Sequence, residues 1–323
     1  MPRPTALPTP GGLRAALGSA LFVRVAGPRG DAVRERIHGT PGPRWFAEGS
    51  AIRRVHGDAS MFVGGLRALL LQSLHPLAMA AVAEHSGYRS DPWGRLQRTS
   101  TFLAATTFGT AEQAEQLVGT VRRVHERVHG VTSDGVPYAA SDPHLVRWVH
   151  VAEVDSFLAA HQRYGARPLD AAGCDEYVAQ AARVARALGA QDPPESVADL
   201  RAQLAAYAPE LRATTEARDA ARFLLVRPPV PVLALPGYAA LAAAAVAELP
   251  RSARRPLGLL DLPLLDATLA RAGGHGVTRL VRWALASQPQ PQPPVPGPAG
   301  GGPEQPARPS RPDDVVGSRD TRG

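Results

Sequence analysis

Apolar residues recur at helical spacing along almost the whole of this 323-residue chain. Runs in which Val, Ile or Thr alternate with polar residues between turn dipeptides are absent, so the pattern predicts helices and no β-sheet. A chain of this length, with 44% hydrophobic and 20% charged residues, can bury a sizeable core. The predicted fold class is therefore all-α, as a single globular multi-helix domain.

Several of the helical segments have recognisable ends. An aspartate followed by proline, which suits the N-cap and the first helical position, occurs at Asp91, Asp142 and Asp192. Gly109 and Gly130 stand where C-terminal stops belong. The predicted helices are 60–84, 93–108, 111–130, 142–164, 171–189, 196–206, 214–225, 238–248 and 263–285.

Both ends of the chain lack the apolar residues that folding requires. The first dozen residues hold four prolines and two glycines, and the last segment is dominated by Pro, Gly, Gln and Arg. The sequence therefore predicts a flexible lead-in at 1–12, a helical domain at 13–286 and a disordered tail at 287–323.

Charge and cysteine content narrow the range of partners. The 36 basic residues exceed the 29 acidic ones by seven, all are Arg, and they alternate with acids instead of clustering, so no nucleic-acid partner is expected. The single cysteine, Cys174, excludes a disulfide framework and multi-cysteine metal sites. The long uncharged stretch 228–247 carries four prolines and is interpreted as a buried helix. We expect a cytoplasmic protein without stable membrane insertion, and the oligomeric state stays open.

The predicted helix 111–130 places His125 on a stripe of valines, opposite a charged face. A buried imidazole needs a partner, which can be a haem iron, another metal ion or simply a backbone carbonyl. His129 lies one turn further on, and the letters from 125 to 129 match the zinc-hydrolase motif H-E-x-x-H. Glu126, however, falls on the charged face, where it does not suit the catalytic glutamate of that motif. A zinc enzyme that uses His125 and His129 is therefore kept as the alternative interpretation.

Two other predicted helices carry polar groups that can serve a site. Arg95, Arg98 and Thr99 share one face, and no acid occurs between residues 93 and 111, which favours an anionic partner or solvent. His150 and Glu153 are three residues apart, so that the carboxylate can orient the imidazole. We expect His150, with His125 and the arginines, to face one cofactor cavity, and His75 is a further candidate.

Nucleotide-binding and serine-hydrolase motifs are missing from the chain, so those functions have no support. The chain carries a different series of short motifs: LHP at 74–76, AEHS at 83–86, DPWGRLQRT at 91–99, FG at 108–109, VH at 124–125, DP at 142–143 and WVH at 148–150. In this order they resemble the MpaB/rubber-oxygenase (latex-clearing protein-like) catalytic domain family. The resemblance extends over residues 35–285 and implies an all-α, globin-reminiscent fold.

The resemblance also implies a chemistry and a set of site residues. Rubber-cleaving members use haem b and dioxygen to cleave an isoprenoid double bond, and the MpaB branch acts on a farnesyl-type side chain. His125 matches the ligand of the haem iron, and Glu84 matches the catalytic glutamate. Arg95, Arg98 and Thr99 match the family's Arg-x-x-Lys-Thr motif, with Arg98 in place of lysine. Because a guanidinium stays protonated, Arg98 cannot ligate iron as a neutral lysine can.

The predicted function is a haem b-dependent oxygenase that acts with dioxygen on a small, apolar, isoprenoid-like molecule. Two other classes stay open at this point. One is a non-haem metal enzyme that uses His125 and His129, and the other is a non-catalytic helical protein that binds haem or lipid.

Overall fold

The computed structural model describes residues 10–288, and almost all of their regular structure is helical. The all-α, single-domain prediction is therefore confirmed. The helices are α1 (Pro10–Ala26), α2 (Gly30–Gly39), α3 (Ala51–His56), α4 (Met61–Gln72), α5 (Pro76–His85), α6 (Pro92–Phe108), α7 (Ala111–Arg127), α8 (Pro143–Tyr164), α9 (Ala171–Leu188), α10 (Val197–Tyr207), α11 (Thr215–Leu225), α12 (Leu235–Ala247), α13 (Arg251–Arg254), α14 (Pro263–Leu265) and α15 (Arg271–Leu285). Short 3₁₀ turns lie at Ala208–Glu210 and Val232–Ala234, and a π-helical turn at Asp266–Ala270 joins α14 to α15.

Helix α8 lies at the centre of the domain. It packs most extensively on α4 and also contacts α3, α5, α9, α10 and α15. Its residues Trp148, Val151 and Ala152 are fully buried. Gly64 lets α4 approach α8 closely, since a Cβ at that position would lie 2.9 Å from Cδ1 of Phe157. That distance is well inside the ~3.5 Å contact of two carbon atoms, so the crossing requires glycine.

Helices α6 and α7 form a hairpin that lies to one side of this core. Helix α6 packs on α1, α2 and α3, and α7 packs on α9. Neither helix packs closely along α8, whose nearest partners are α4 and α9. The hairpin is therefore held mainly by α1, α2, α3 and α9 and not by the central helix.

One predicted helix, 60–84, is two helices in the structure. Helix α4 ends at Gln72, α5 starts at Pro76, and the two axes differ by 108°. Proline has no N–H to donate and disfavours the helical conformation for the residue before it, and His75 is accordingly extended. The sequence pattern predicts one helix here because the apolar residues continue across the break.

The prediction of no β-sheet was wrong in one place. The strands β1 (His129–Val131) and β2 (Pro137–Ala139) form an antiparallel hairpin directly after α7. Helix α7 consequently ends at Arg127, and Gly130 lies in β1 instead of stopping a helix. The turn between the strands contains Asp134-Gly135, a dipeptide typical of hairpins, and Gly135 has a φ of +80°.

Other boundaries follow the capping signals closely. Asp91 and Asp142 cap α6 and α8, and their carboxylates accept hydrogen bonds from Gly94 N and His144 N. Asp192 is not a cap, because Pro194 disfavours the helical conformation at Pro193, and α10 starts after Ser196. Helices α1, α2 and α3 were not predicted.

The described residues include only small parts of the predicted lead-in and tail. Pro10–Gly12 belong to α1, so part of the predicted lead-in is helical, and residues 1–9 lie outside the described residues. Helix α15 ends at Leu285. The predicted tail lies outside the described residues apart from Ser287 and Gln288. Among residues 10–288, no single helix has the length and apolarity of a membrane span, and α4 and α5 reach them only as a bent pair.

Candidate functional site

The α6–α7 hairpin brings Arg95 and His125 to the same end of the domain. The two helices are joined by Gly109 and Thr110 alone, and Thr110 forms a capping box with Gln113. Arg95 lies 13 residues before the end of α6, and His125 lies 14 residues after the start of α7. At about 1.5 Å per residue both are ~20 Å from the turn. The two residues that the sequence singled out on separate helices are therefore level with each other.

His125 is a half-buried imidazole without a protein partner. Its Nδ1 is buried, and within residues 10–288 neither ring nitrogen makes a hydrogen bond. Burial lowers the pKa of His125, so the ring is neutral at pH 7. A neutral imidazole with free nitrogens is the form that ligates a metal. The stripe above it includes the buried residues Ala114 and Val118, as the sequence predicted.

Arg95 is a partly buried cation without a carboxylate partner among the described residues. Its Nη1 donates to Oγ of Ser86 at 3.0 Å. Burial lowers the pKa of Arg95, Tyr88 opposes that shift, and Arg98 adds to it. A guanidinium that is desolvated and lacks an acid favours an anionic ligand, which agrees with the absence of acids along α6.

Arg98 and Thr99 occupy different positions from Arg95. The Arg98 side chain is 65% exposed, and its Nη1 lies 3.4 Å from Oδ2 of the N-cap residue Asp91. Thr99 is exposed and donates its hydroxyl proton to the carbonyl of Arg95 at 3.1 Å. Of the predicted group, only Arg95 points into the protein.

Glu84 lies beside a residue that sequence reasoning missed, Tyr138. The Tyr138 hydroxyl donates a hydrogen bond to Oε2 of Glu84 and lies 3.2 Å from Nε2 of His85. Burial and the Glu84 carboxylate raise the pKa of Tyr138 to about 12. Gly130 faces this hydroxyl, and a Cβ there would lie 2.5 Å from it. The β1–β2 hairpin thus ties Glu84 to the end of α7 that carries His125.

A cleft of about 430 Å³ opens beside Glu84. One wall is apolar and comes from α5, with Pro76, Ala80 and Ala83. The other wall is polar and includes Arg212, whose Nη2 donates to Asp134 at 2.8 Å. The cleft therefore combines a hydrocarbon surface, a carboxylate and a charged rim.

His150 and Glu153 lie on the side of α8 that faces away from α4. His150 is buried, and its Nε2 has no hydrogen-bond partner. Burial, followed by the Arg186 cation, lowers the pKa of His150 to about 4. The carboxylate of Glu153 makes no hydrogen bond with His150 or with any other described residue, and burial raises its pKa to about 7. The predicted His150–Glu153 pair is not formed, and both groups lack a partner.

The raised pKa of Glu153 gives a prediction with a definite sign. The unfolded carboxyl has a pKa of 4.5 and the folded one about 7, so the folded state loses stability as the pH rises between these values. At pH 8 the free energy of unfolding of Glu153→Gln is expected to exceed that of the wild type by on the order of 3 kcal/mol, so the variant unfolds at higher urea concentration. Below pH 4.5 the two proteins should have closely similar free energies of unfolding. A difference between the two proteins that is the same at pH 4.5 and pH 8 would contradict this, and Glu126→Gln, at an exposed position, is the control.

The zinc interpretation of His125 and His129 is wrong for this structure. Helix α7 ends at Arg127, and His129 is an exposed residue of β1. The motif requires both histidines on one helical face, and Glu126 is also exposed. The two rings therefore do not have the placement that a zinc ion requires.

A different group of possible metal ligands comes together at the start of α8. Nε2 of His75 lies 3.2 Å from Oε2 of Glu210, and Nε2 of His144 lies 2.9 Å from the same oxygen. Nη2 of Arg147 lies 3.4 Å from Nδ1 of His144. Because a guanidinium can only donate, Nδ1 accepts and the proton of His144 is on Nε2, facing Glu210. The group is a hydrogen-bonded junction of α5, α8 and the turn after α10.

A family model described as "ER-bound oxygenase mpaB/B'/Rubber oxygenase, catalytic domain" matches residues 53–284. The chain belongs to this family. The match begins within α3 and includes each of the predicted site residues, from Glu84 to His150. Comparisons with curated proteins and with solved structures gave no match.

Proposed function

We propose that this chain is a haem b-dependent oxygenase that acts with dioxygen on a small isoprenoid-like molecule. Membership of an oxygenase family supports oxygen chemistry in general. The observation that carries the haem assignment is His125, a neutral and partly buried imidazole whose ring makes no hydrogen bond within the described residues.

The residues around His125 suit a haem group. Proximal haem ligands are neutral histidines, and haem propionates need cationic partners. Arg95 supplies a cation without a competing acid at the same end of the hairpin. His150, on α8, also has a buried ring nitrogen without a hydrogen-bond partner. We therefore assign iron ligation to His125 and propionate binding to Arg95, and we place His150 at the cofactor.

Haem supplies the activation of dioxygen, and the protein supplies placement and proton control. The apolar wall of the cleft binds hydrocarbon and excludes water from it. Tyr138 holds one oxygen of Glu84 as a hydrogen-bond acceptor, which leaves Oε1 free to take a proton from a substrate in the cleft. Arg98 is exposed and paired with Asp91, and its guanidinium, which stays protonated, would not act as an iron ligand.

The test is an absorption spectrum of the protein expressed with ample haem. We expect a Soret band, a haem-to-protein ratio near one, and oxygen uptake with an isoprenoid substrate. His125→Ala is expected to lose at least nine-tenths of the bound haem, because the iron loses its protein ligand. His129→Ala is the matched control, four residues away and exposed, and should retain wild-type occupancy.

Far-UV circular dichroism confirms that both variants fold. The proposal is wrong if purified wild-type protein takes up no haem, or if folded His125→Ala binds as much as the wild type. Bound haem without oxygen uptake on any isoprenoid would instead support a haem-binding protein. The expected cytoplasmic location stays a prediction.

A further inference from the structure

Among residues 10–288, the most exposed large apolar side chains lie in the segments that precede and follow helix α12. Val232 and Leu233, in the turn that leads into α12, are 79% and 97% exposed. On the other side of the helix, Leu264 and Leu269 are 82% and 70% exposed. The π-helical turn that ends near Leu269 packs against α12, so both groups belong to one region.

The outer face of α12 is apolar as well. Leu235, Ala239 and Ala243 are exposed and fall at intervals of four residues, which places them on one stripe of the helix. The opposite side, with Ala244 and Ala245, is buried against α4 and α15. No charged residue occurs from 228 to 247. The expectation of a buried helix here is therefore correct for one side only, and the other is an apolar stripe ~12 Å long from Leu235 to Ala243.

The segment of the chain that forms this apolar face also contains arginines without a partner among the described residues. Residues 226–288 contain seven arginines and three acids. The acids are all engaged, as Glu248 pairs with Arg163, and Asp261 and Asp266 pair with Arg251 and Arg254. Among the described residues no ion pair or side-chain hydrogen bond involves four of the arginines, each within five residues of an exposed apolar side chain: Arg227, Arg255, Arg271 and Arg279.

We propose that this apolar face docks on the surface of an anionic lipid bilayer. Exposed leucines and valines enter the boundary between headgroups and acyl chains, and the arginines beside them bind anionic headgroups while their stems lie along the apolar layer. Single exposed apolar residues scattered over a surface need no explanation. A group of exposed apolar residues with unpaired cations nearby indicates an interaction site.

A lipid surface fits this face better than the other possible occupants. A twofold contact with a second copy would bring four unpaired arginines against four more, which is unfavourable. Residues 289–323 of the chain itself contain three valines and no Leu, Ile, Phe or Trp, so they offer little apolar surface to cover it. The inference does not depend on the haem proposal.

The experiment is vesicle co-flotation of the full-length protein. We expect binding to phosphatidylcholine vesicles that contain phosphatidylglycerol, a much weaker signal with phosphatidylcholine alone, and release at high salt. The double variant L233E/L264E should lower the partition coefficient at least tenfold. Leu13→Glu in α1, where the leucine is 57% exposed, is the matched control and should bind like the wild type.

A second variant pair tests the arginines separately. R255Q/R279Q should reduce binding to anionic vesicles about 25-fold, at roughly fivefold per arginine, and leave binding to neutral vesicles unchanged. The proposal is overturned if the wild type does not float with anionic vesicles or binds neutral ones equally well. It is also overturned if L233E/L264E converts a dimer to a monomer, because the face would then join two copies. Circular dichroism and melting temperature confirm that each variant is folded.

Discussion

Replacing Arg67 by methionine is expected to lower the free energy of unfolding by about 3–5 kcal/mol. Arg67 is a buried cation on α4 that joins three elements. Its Nη1 donates to Oγ of Ser156 at 2.6 Å, its Nη2 lies 2.6 Å from Oδ2 of Asp155, and its Nε donates to the carbonyl of Glu248 at 2.9 Å. Methionine fills most of the volume but leaves the aspartate and a carbonyl without their donor.

Urea denaturation followed by circular dichroism measures this loss. Arg89→Met is the matched control, because Arg89 also pairs with an aspartate, Asp219 at 3.0 Å, but both side chains are about half exposed. That substitution should cost far less stability than Arg67→Met, because solvent screens exposed ion pairs. The double variant R67M/D155N should recover part of the loss, since it removes the unpaired carboxylate. Equal losses in R67M and R89M would show that burial adds nothing to this ion pair.

The helices that sequence reasoning located best are those with local end signals. Helices α6 and α8 begin at an aspartate followed by proline, and α9 ends at a left-handed glycine, Gly189. These signals lie within four residues of the boundary, so the sequence alone is sufficient. The break at Pro76 was missed because apolar residues continue on both sides of it, and the change of direction depends on what each half packs against.

The candidate site likewise contains residues that the sequence predicts and contacts that it does not. His125 and Arg95 were predictable, because helical periodicity shows which face is apolar and where acids are absent. The contact between Tyr138 and Glu84 joins residues 54 positions apart through a hairpin that was not recognised. The Glu210 junction joins residues as far as 135 positions apart. No local pattern reveals such contacts, since they depend on how the elements pack.

Acid should destabilise the folded protein through His56, a histidine that lies outside the candidate site. Its Nδ1 lies 2.8 Å from Oγ1 of Thr107, and its Nε2 lies 3.4 Å from the hydroxyl of Tyr177. Burial, with a smaller contribution from His161, lowers the pKa of His56 to about 3 from the usual 6.5. His56 therefore binds a proton much more weakly in the folded state than in the unfolded chain.

The sign of the effect follows from these two pKa values. The contribution of His56 to stability is complete above pH 6.5 and is lost as the pH falls toward 3, at about 1.4 kcal/mol per pH unit and up to about 5 kcal/mol in all. His56→Gln keeps polar atoms near Thr107 and Tyr177 but cannot be protonated. The difference in free energy of unfolding between wild type and His56→Gln should therefore shift in favour of the variant by about 3 kcal/mol between pH 6.5 and 4.5. His129→Gln, at an exposed position in β1, is the control, and an equal pH dependence in both variants would contradict the assignment of this effect to His56.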